Sequence, residues 1–80
     1  MYTVTTNADW RVASANSTVA FQVTGAGAVF VGLGTNAAPA AGFLYEANQG
    51  DRGALTDIFP ASSGNVVWVR SSFPSEVTLG

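Results

Sequence analysis

The stretch that decides the fold is TVAFQVTGAGAVFVGL, residues 18–33. Apolar side chains occupy every second position on both sides of its glycine segment, at Val19, Phe21, Val23, Val29, Val31 and Leu33. Alternation with a period of two is typical of a β-strand that buries one face. The stretch therefore predicts strands over Thr18–Thr24 and Ala28–Leu33. We expect a hairpin between them, with Gly25 and Gly27 supplying positive φ in the turn.

Similar short runs fill the rest of the chain. Further strands are predicted at Tyr2–Thr6, Trp10–Ser14, Gly42–Glu46, Ala54–Phe59, Asn65–Ser71 and Ser75–Leu79. The Ala-rich segment Asn36–Ala41 contains Pro39 at its centre, so we interpret it as an extended connection rather than a helix. Seven to eight short antiparallel strands predict one all-β domain over residues 1–80, built as a β-sandwich, a jelly roll or a small barrel.

Composition bounds how such a domain is stabilised. The chain has 80 residues, no Cys and no His, so disulfides and the usual structural metal sites are not available to a small core. Only 10% of residues are charged, against roughly 25% in a typical soluble domain. A surface with few ions packs against another protein with little desolvation cost. We therefore expect association with copies of itself or with a larger partner.

The same composition excludes several functions. Three arginines are the only cations of a chain with net charge −2, so nucleic-acid binding is not expected. No run of about 20 apolar residues indicates a membrane span, and the N-terminus lacks the basic and apolar regions of a signal peptide. We expect a protein that is made and used without secretion.

No catalytic constellation stands out. Without His, Cys or Lys the chain lacks most nucleophiles, bases and metal ligands, so we predict a non-enzymatic protein with no cofactor. The segment Gly25–Phe30 lacks the third glycine of a dinucleotide loop, and a strand rather than a helix follows it. The polar segment Glu46–Gly53 does not have the spacing of a Ca²⁺ loop and is interpreted as a solvated or partner-contacting loop.

Aromatic and polar side chains are the candidate contact residues. Phe30 lies on the opposite face of its strand from Val29 and Val31, which implies that both faces are covered and one meets a partner. The full set of candidate partner contacts is Trp10, Phe30, Tyr45, Asn48, Gln49, Asp51 and Arg52. The alternative is a small carbohydrate-binding, adhesin-like module, with Trp10, Tyr45 or Trp68 stacking on a sugar beside the amides.

The order of these features resembles small all-β virion proteins of tailed bacteriophages, of the head-decoration or tail-associated type. The resemblance is carried by Asp9–Val12, Val19–Val23, Val29–Gly34, the Ala37–Ala40 connection to Gly42–Tyr45, and Val66–Arg70. Within it, Gly32, Gly34, Ala38 and Pro39 match a phrase that joins a strand to a short loop.

The resemblance implies a structural protein of the virion, such as a capsid decoration or cement protein, assembled in the host cytoplasm. Its partners would be copies of itself and the major capsid protein or another virion protein. Contacts would be made by loops and strand edges.

Overall fold

The computed structural model describes residues 1–59 and 64–80 and confirms the all-β prediction. Its strands are β1 (Tyr2–Thr5), β2 (Arg11–Ser14), β3 (Phe21–Val23), β4 (Val29–Gly34), β5 (Phe43–Tyr45), β6 (Gly50–Asp51), β7 (Val66–Arg70) and β8 (Glu76–Leu79). A single turn of helix, α1, spans Leu55–Ile58.

The strands form two four-stranded antiparallel sheets that face each other. The first sheet has the order β1-β8-β3-β6 and the second has the order β2-β7-β4-β5. Each strand pairs with the strand at the same position counted from the other end of the chain. The pairs are β1–β8, β2–β7, β3–β6 and β4–β5. The chain is thus one long antiparallel ribbon rolled on itself, closed by the pairs β3–β8 and β4–β7. This is the jelly-roll form of the sandwich.

The core lies between the sheets and follows the predicted alternation. Six valines contributed by both sheets are completely buried, at Val23, Val29, Val31, Val67, Val69 and Val77. Phe21, Leu33, Tyr45, Leu79 and Ala13 complete the interior together with residues of α1. β-Branched side chains suit these positions because they pack well on a pleated surface.

The predicted hairpin within residues 18–33 is wrong. β3 belongs to the first sheet and β4 to the second, so the intervening segment crosses from one sheet to the other. Among the glycines that the structure describes, positive φ is found at Gly53 and Gly80 and not at Gly25 or Gly27. Gly25 is instead a point of close approach, because a Cβ there would lie 2.4 Å from Ser75 Oγ.

Two further boundaries differ from the sequence prediction. The predicted strand over residues 54–59 is the helical turn α1, in which Leu55 is buried and the Phe59 N–H donates to the Leu55 carbonyl at 2.9 Å. The structure has a strand that was not predicted, β6, which lies inside the segment predicted as a loop and pairs with β3. The Ala-rich connection before β5 is non-helical, as predicted.

Candidate functional site

The outer surface of the second sheet carries a row of aromatic and aliphatic side chains. The register places Phe30 beside Arg70 on one side and Leu44 on the other, and it places Trp68 beside Val12. Phe30, Trp68 and Arg70 alternate along their strands with completely buried valines, and Val12 and Leu44 lie next to the buried Ala13 and Tyr45. The side chains of the row therefore point away from the core. We call this surface the aromatic face; it comprises Trp10, Val12, Phe30, Leu44, Trp68 and Arg70.

A guanidinium group holds the centre of the aromatic face together. The Arg70 Cζ lies 5.4 Å from the centre of the Phe30 ring and 5.9 Å from that of Trp10. Its Nε donates a 3.1 Å hydrogen bond to the Ala8 carbonyl. Cation–π contacts and this hydrogen bond hold the guanidinium, which is the only charged group of the aromatic face. The cost of desolvating this group is therefore reduced when a partner covers the face.

The edges of the aromatic face are apolar and open. Val12 on β2 is 48% exposed and Leu44 on β5 is 52% exposed, while Phe30 between them is half-buried. Exposed aliphatic residues that flank a packed aromatic centre are typical of a protein-binding surface. The structure thus places Phe30 outside the core, on the side of its strand that the sequence analysis predicted.

The Ala-rich connection covers the remaining part of the second sheet. A Cβ at Gly32 would lie 2.9 Å from Pro39 Cγ, and a Cβ at Gly34 would lie 2.7 Å from the Ala37 carbonyl oxygen. The Trp68 Nε1 donates to the Thr35 carbonyl at 3.2 Å. The two strand glycines therefore let a loop lie flat on the sheet, and the aromatic face is confined to the part that the loop leaves open.

Tyr45 is not a surface residue. Its ring is 8% exposed and makes edge-on contacts with Phe21 and Phe59 in the core. Its hydroxyl donates a 2.5 Å hydrogen bond to Asp51 Oδ2. Burial and the adjacent Asp51 carboxylate both raise the pKa of Tyr45 well above its ordinary value. The prediction of Tyr45 as a contact residue is therefore wrong, because its ring is buried and is not accessible to a protein partner or to a sugar.

The other polar candidates lie at the β6 end of the first sheet. Asn48 adopts a left-handed conformation with φ of 68°, and its carbonyl accepts a 3.2 Å bond from Gln22 Nε2. The Gln49 side-chain oxygen accepts from the Glu46 N–H. Arg52 is exposed. The structure therefore divides the predicted contacts into two groups: Trp10 and Phe30 lie on the second sheet, whereas the amides and Arg52 lie beside the first.

The outer surface of the first sheet is an open concavity lined by both apolar and polar groups. It has a volume of about 790 Å³ and is bounded by Ala20, Gln22, Thr24, Gly50, Arg52, Thr78 and Gly80, among others. Its hydroxyl groups already bond each other: Thr24 Oγ1 and Thr78 Oγ1 are 2.9 Å apart, and Thr3 Oγ1 and Thr78 Oγ1 are 3.2 Å apart. Trp68 lies on the other sheet, so it does not form a sugar-stacking platform beside these groups.

Sequence reasoning missed the loop between β7 and β8. This Phe73 loop, Ser71–Ser75, places Phe73 in solvent with 78% of its surface exposed. Both ends of the loop are buried serines. The sequence signal for this exposed loop was an isolated aromatic residue in a serine-rich turn. It was missed because a proline follows Phe73, which is typical of a residue at the boundary of a strand.

The base of the Phe73 loop is fixed by hydroxyl groups. Thr6 Oγ1 and Ser71 Oγ share a 2.6 Å hydrogen bond, and the Ser75 N–H donates to Thr6 Oγ1 at 3.0 Å. Ser75 Oγ donates to the Gly27 carbonyl at 2.8 Å. The loop is therefore held by Thr6, directly after β1, and by the crossing segment that includes Gly27.

Comparisons with protein-family models, curated proteins and solved structures gave no match. Within residues 1–59 and 64–80, the structure contains no group of three or more His, Cys, Asp or Glu residues arranged to hold a metal ion. The described part of the chain also contains no helix with the length and apolar character needed to cross a membrane.

Proposed function

We propose that this chain is a non-enzymatic structural protein of a virus particle, a capsid decoration protein or another head- or tail-associated protein. In this role the aromatic face packs against a larger virion protein. The observation that carries the proposal is the aromatic face itself, where Val12 and Leu44 are about half exposed beside the packed Phe30–Arg70 pair.

Physical chemistry supports a contact role for this face. Burial of apolar surface contributes roughly 25 cal/mol per Å². The one charged group, Arg70, already has a carbonyl and two aromatic rings as partners. A partner therefore gains apolar burial without stripping water from an unsatisfied ion.

The fold gives weaker support of a different kind. Jelly rolls build capsid domains of viruses and also lectins, so the strand order is compatible with both readings and selects neither. The aromatic face favours the structural role. The carbohydrate alternative loses Tyr45 to the core and keeps only the half-buried Trp10 and Trp68 as stacking platforms.

The proposal is tested on particles. Virus particles purified from cells that carry the gene should contain the chain in repeated copies when their proteins are quantified by mass spectrometry. Absence of the chain from such particles would contradict the proposal. Removal of the chain by a brief wash in moderate salt would also contradict it, since an apolar contact is not screened by salt.

A further inference from the structure

We infer that two copies of the chain pair along β5, the edge strand of the second sheet. The pairing joins the four strands of each copy into one continuous antiparallel sheet across a two-fold axis. The site is the open backbone edge of Phe43–Tyr45, and its occupant is the same strand of a second copy. This contact goes beyond the packing of the aromatic face on a virion protein and does not rest on the proposed function.

The outer edge of β5 is open. The strand is the last one of its sheet and pairs with β4 on one side only. Among the residues that the structure describes, the backbone of Phe43–Tyr45 makes no backbone–backbone hydrogen bond to any segment other than β4. Phe43 is 47% exposed and Leu44 is 52% exposed. An edge of this kind presents unpaired N–H and C=O groups to which another strand can bond.

The other three edge strands carry features that oppose such pairing. On β1 the Thr5 carbonyl accepts a 2.8 Å hydrogen bond from Arg11 Nη1, and on β2 the Ala13 carbonyl accepts a 2.6 Å hydrogen bond from the Tyr2 hydroxyl. The register of β2 also contains an irregularity, and β6 is only two residues long and includes an aspartate. Short strands, bulges and charges are the usual means by which edges are kept from pairing.

These differences between the edges select the occupant. A strand that is added to β5 needs an open edge of its own. In the described part of the chain, β5 is the edge strand without a bulge, a charge or a side-chain bond to its backbone. A second copy therefore meets β5 through its own β5, which is the isologous contact of a two-fold dimer. The three residues of β5 are uncharged, so no like charges oppose each other within the pair.

The pleat restricts the register of this pair. Leu44 lies opposite Phe30 and points outward, whereas Phe43 and Tyr45 lie opposite buried valines and point inward. Residues that lie opposite each other in a ladder point to the same side of the sheet. A register that places Leu44 opposite Leu44 of the second copy meets this condition and pairs all three residues of β5. A shift by one residue would place outward residues opposite inward ones.

The same register buries apolar side chains on both sides of the joined sheet. On the outer side the two Leu44 side chains meet and connect the aromatic faces of the two copies. On the inner side Phe43 lies opposite Tyr45 of the second copy. Glu46, the first charged residue after β5, then lies opposite Gly42 of the second copy, so the two carboxylates are kept apart. Backbone hydrogen bonds and apolar burial therefore both favour the dimer.

A lysine at the two-fold axis tests the contact. Leu44→Lys places two ammonium groups side by side and should weaken the dimer at least about 30-fold, which leaves a monomer. Val12→Lys is the matched control, because Val12 is 48% exposed on the outer side of β2, at the opposite edge of the same sheet. Wild-type chain and Val12→Lys should be dimers by light scattering at micromolar concentration. Circular dichroism verifies that both variants fold.

A cysteine at the same position tests the register. The chain has no cysteine, so Leu44→Cys introduces a single thiol. Directly opposite residues of an antiparallel pair have Cβ atoms about 4.5–5.5 Å apart, and small backbone shifts bring them within reach of a disulfide. Mild oxidation should therefore convert Leu44→Cys to a covalent dimer on a non-reducing gel. Val12→Cys at the same concentration should stay monomeric on that gel.

Three results would overturn the inference: a monomeric wild-type chain, a Leu44→Lys chain that dimerises like the wild type, or equal cross-linking of the two cysteine variants. If Leu44→Lys did not fold, the cysteine variants would decide alone. Particle binding is measured separately. A monomeric chain that occurs in particles refutes the β5 pairing and leaves the structural role standing, whereas a dimer that is absent from particles contradicts the role and leaves the pairing standing.

Discussion

Arg70 lies directly across the β4–β7 pair from Phe30, with its guanidinium carbon 5.4 Å from the centre of the phenylalanine ring. The same group reaches the Trp10 ring, so three residues from three segments form one stacked unit outside the core. Such a unit is more ordered than isolated surface side chains. It presents a prepared apolar surface to a partner while the fold itself depends on the valines beneath it.

Replacement of Phe30 separates binding from folding. Phe30→Ser should abolish retention of the chain by virus particles, because it removes the centre of the aromatic face. It should lower the free energy of unfolding by only about 1–2 kcal/mol, since the ring is half-buried. Co-sedimentation with particles and urea unfolding measure the two effects. Thr5→Ser, on the outer surface of the first sheet, is the control and should change neither; a Phe30→Ser protein that is simply unfolded would refute the placement.

The Tyr45–Asp51 hydrogen bond makes stability depend on alkaline pH. The pKa of the buried hydroxyl is raised, so the folded state holds the proton more tightly than the unfolded chain does. The resulting stabilisation is complete below the ordinary tyrosine pKa of about 10 and is lost as the pH rises above it. Urea midpoints measured from pH 8 to pH 11 should therefore fall at the upper end for the wild type.

Tyr45→Phe is the matched variant for this effect. It should cost about 0.5–1.5 kcal/mol at neutral pH through the lost hydrogen bond and should show a shallower fall above pH 10. Tyr2, the other tyrosine, is exposed and remains in both proteins. Equal slopes for the two proteins would mean that Tyr45 ionises as freely in the folded chain as in the unfolded one.

The hydroxyl of Thr6 supports the Phe73 loop. Thr6→Val preserves shape but leaves the Ser75 N–H and the Ser71 hydroxyl without this partner in a buried position. We expect the free energy of unfolding to fall by about 1–3 kcal/mol. Thr3→Val, at an exposed position of the preceding strand β1, should be close to neutral. Chemical denaturation of both variants checks this, and equal stability would show that water replaces the lost partner.

Two nearby glycines should respond differently to the same added methyl group. A Cβ at Gly25 would lie 2.4 Å from Ser75 Oγ and 2.5 Å from the Glu76 nitrogen, so Gly25→Ala should destabilise by about 1–3 kcal/mol through overpacking. At Gly27 the nearest atom is 3.4 Å away, an ordinary contact. Gly27→Ala should therefore be tolerated. Differential scanning calorimetry of both variants checks this. If both melted like the wild type, the described path of the segment that joins β3 to β4 would be contradicted.

Periodicity predicted the core but not the pairing of strands. The alternation at Val29, Val31, Val67 and Val69 correctly identifies buried positions, because burial of one face requires a period of two. It carries no information on which strand lies beside which, and for that reason the pair β3 and β4 was predicted as a hairpin although the two strands lie in different sheets.

Local signals failed where tertiary contacts decide. The spacing of Leu55 and Phe59 suits one helical turn, but a single turn is too short for a sequence pattern to separate from a strand. Tyr45 was predicted to be a surface aromatic residue because the sequence does not show that its hydroxyl bonds the Asp51 carboxylate inside the fold. Phe73 looks like a boundary residue because the serines that anchor its loop find their partners on distant segments.

The mass of the purified wild-type chain in solution, measured by light scattering across protein and salt concentration, tests the central claim most directly. If the chain is a part of a larger assembly, it should form oligomers at micromolar concentration whose mass changes little with salt, because few charges are available to be screened. A stable monomer of 8.2 kDa at every concentration would contradict the account.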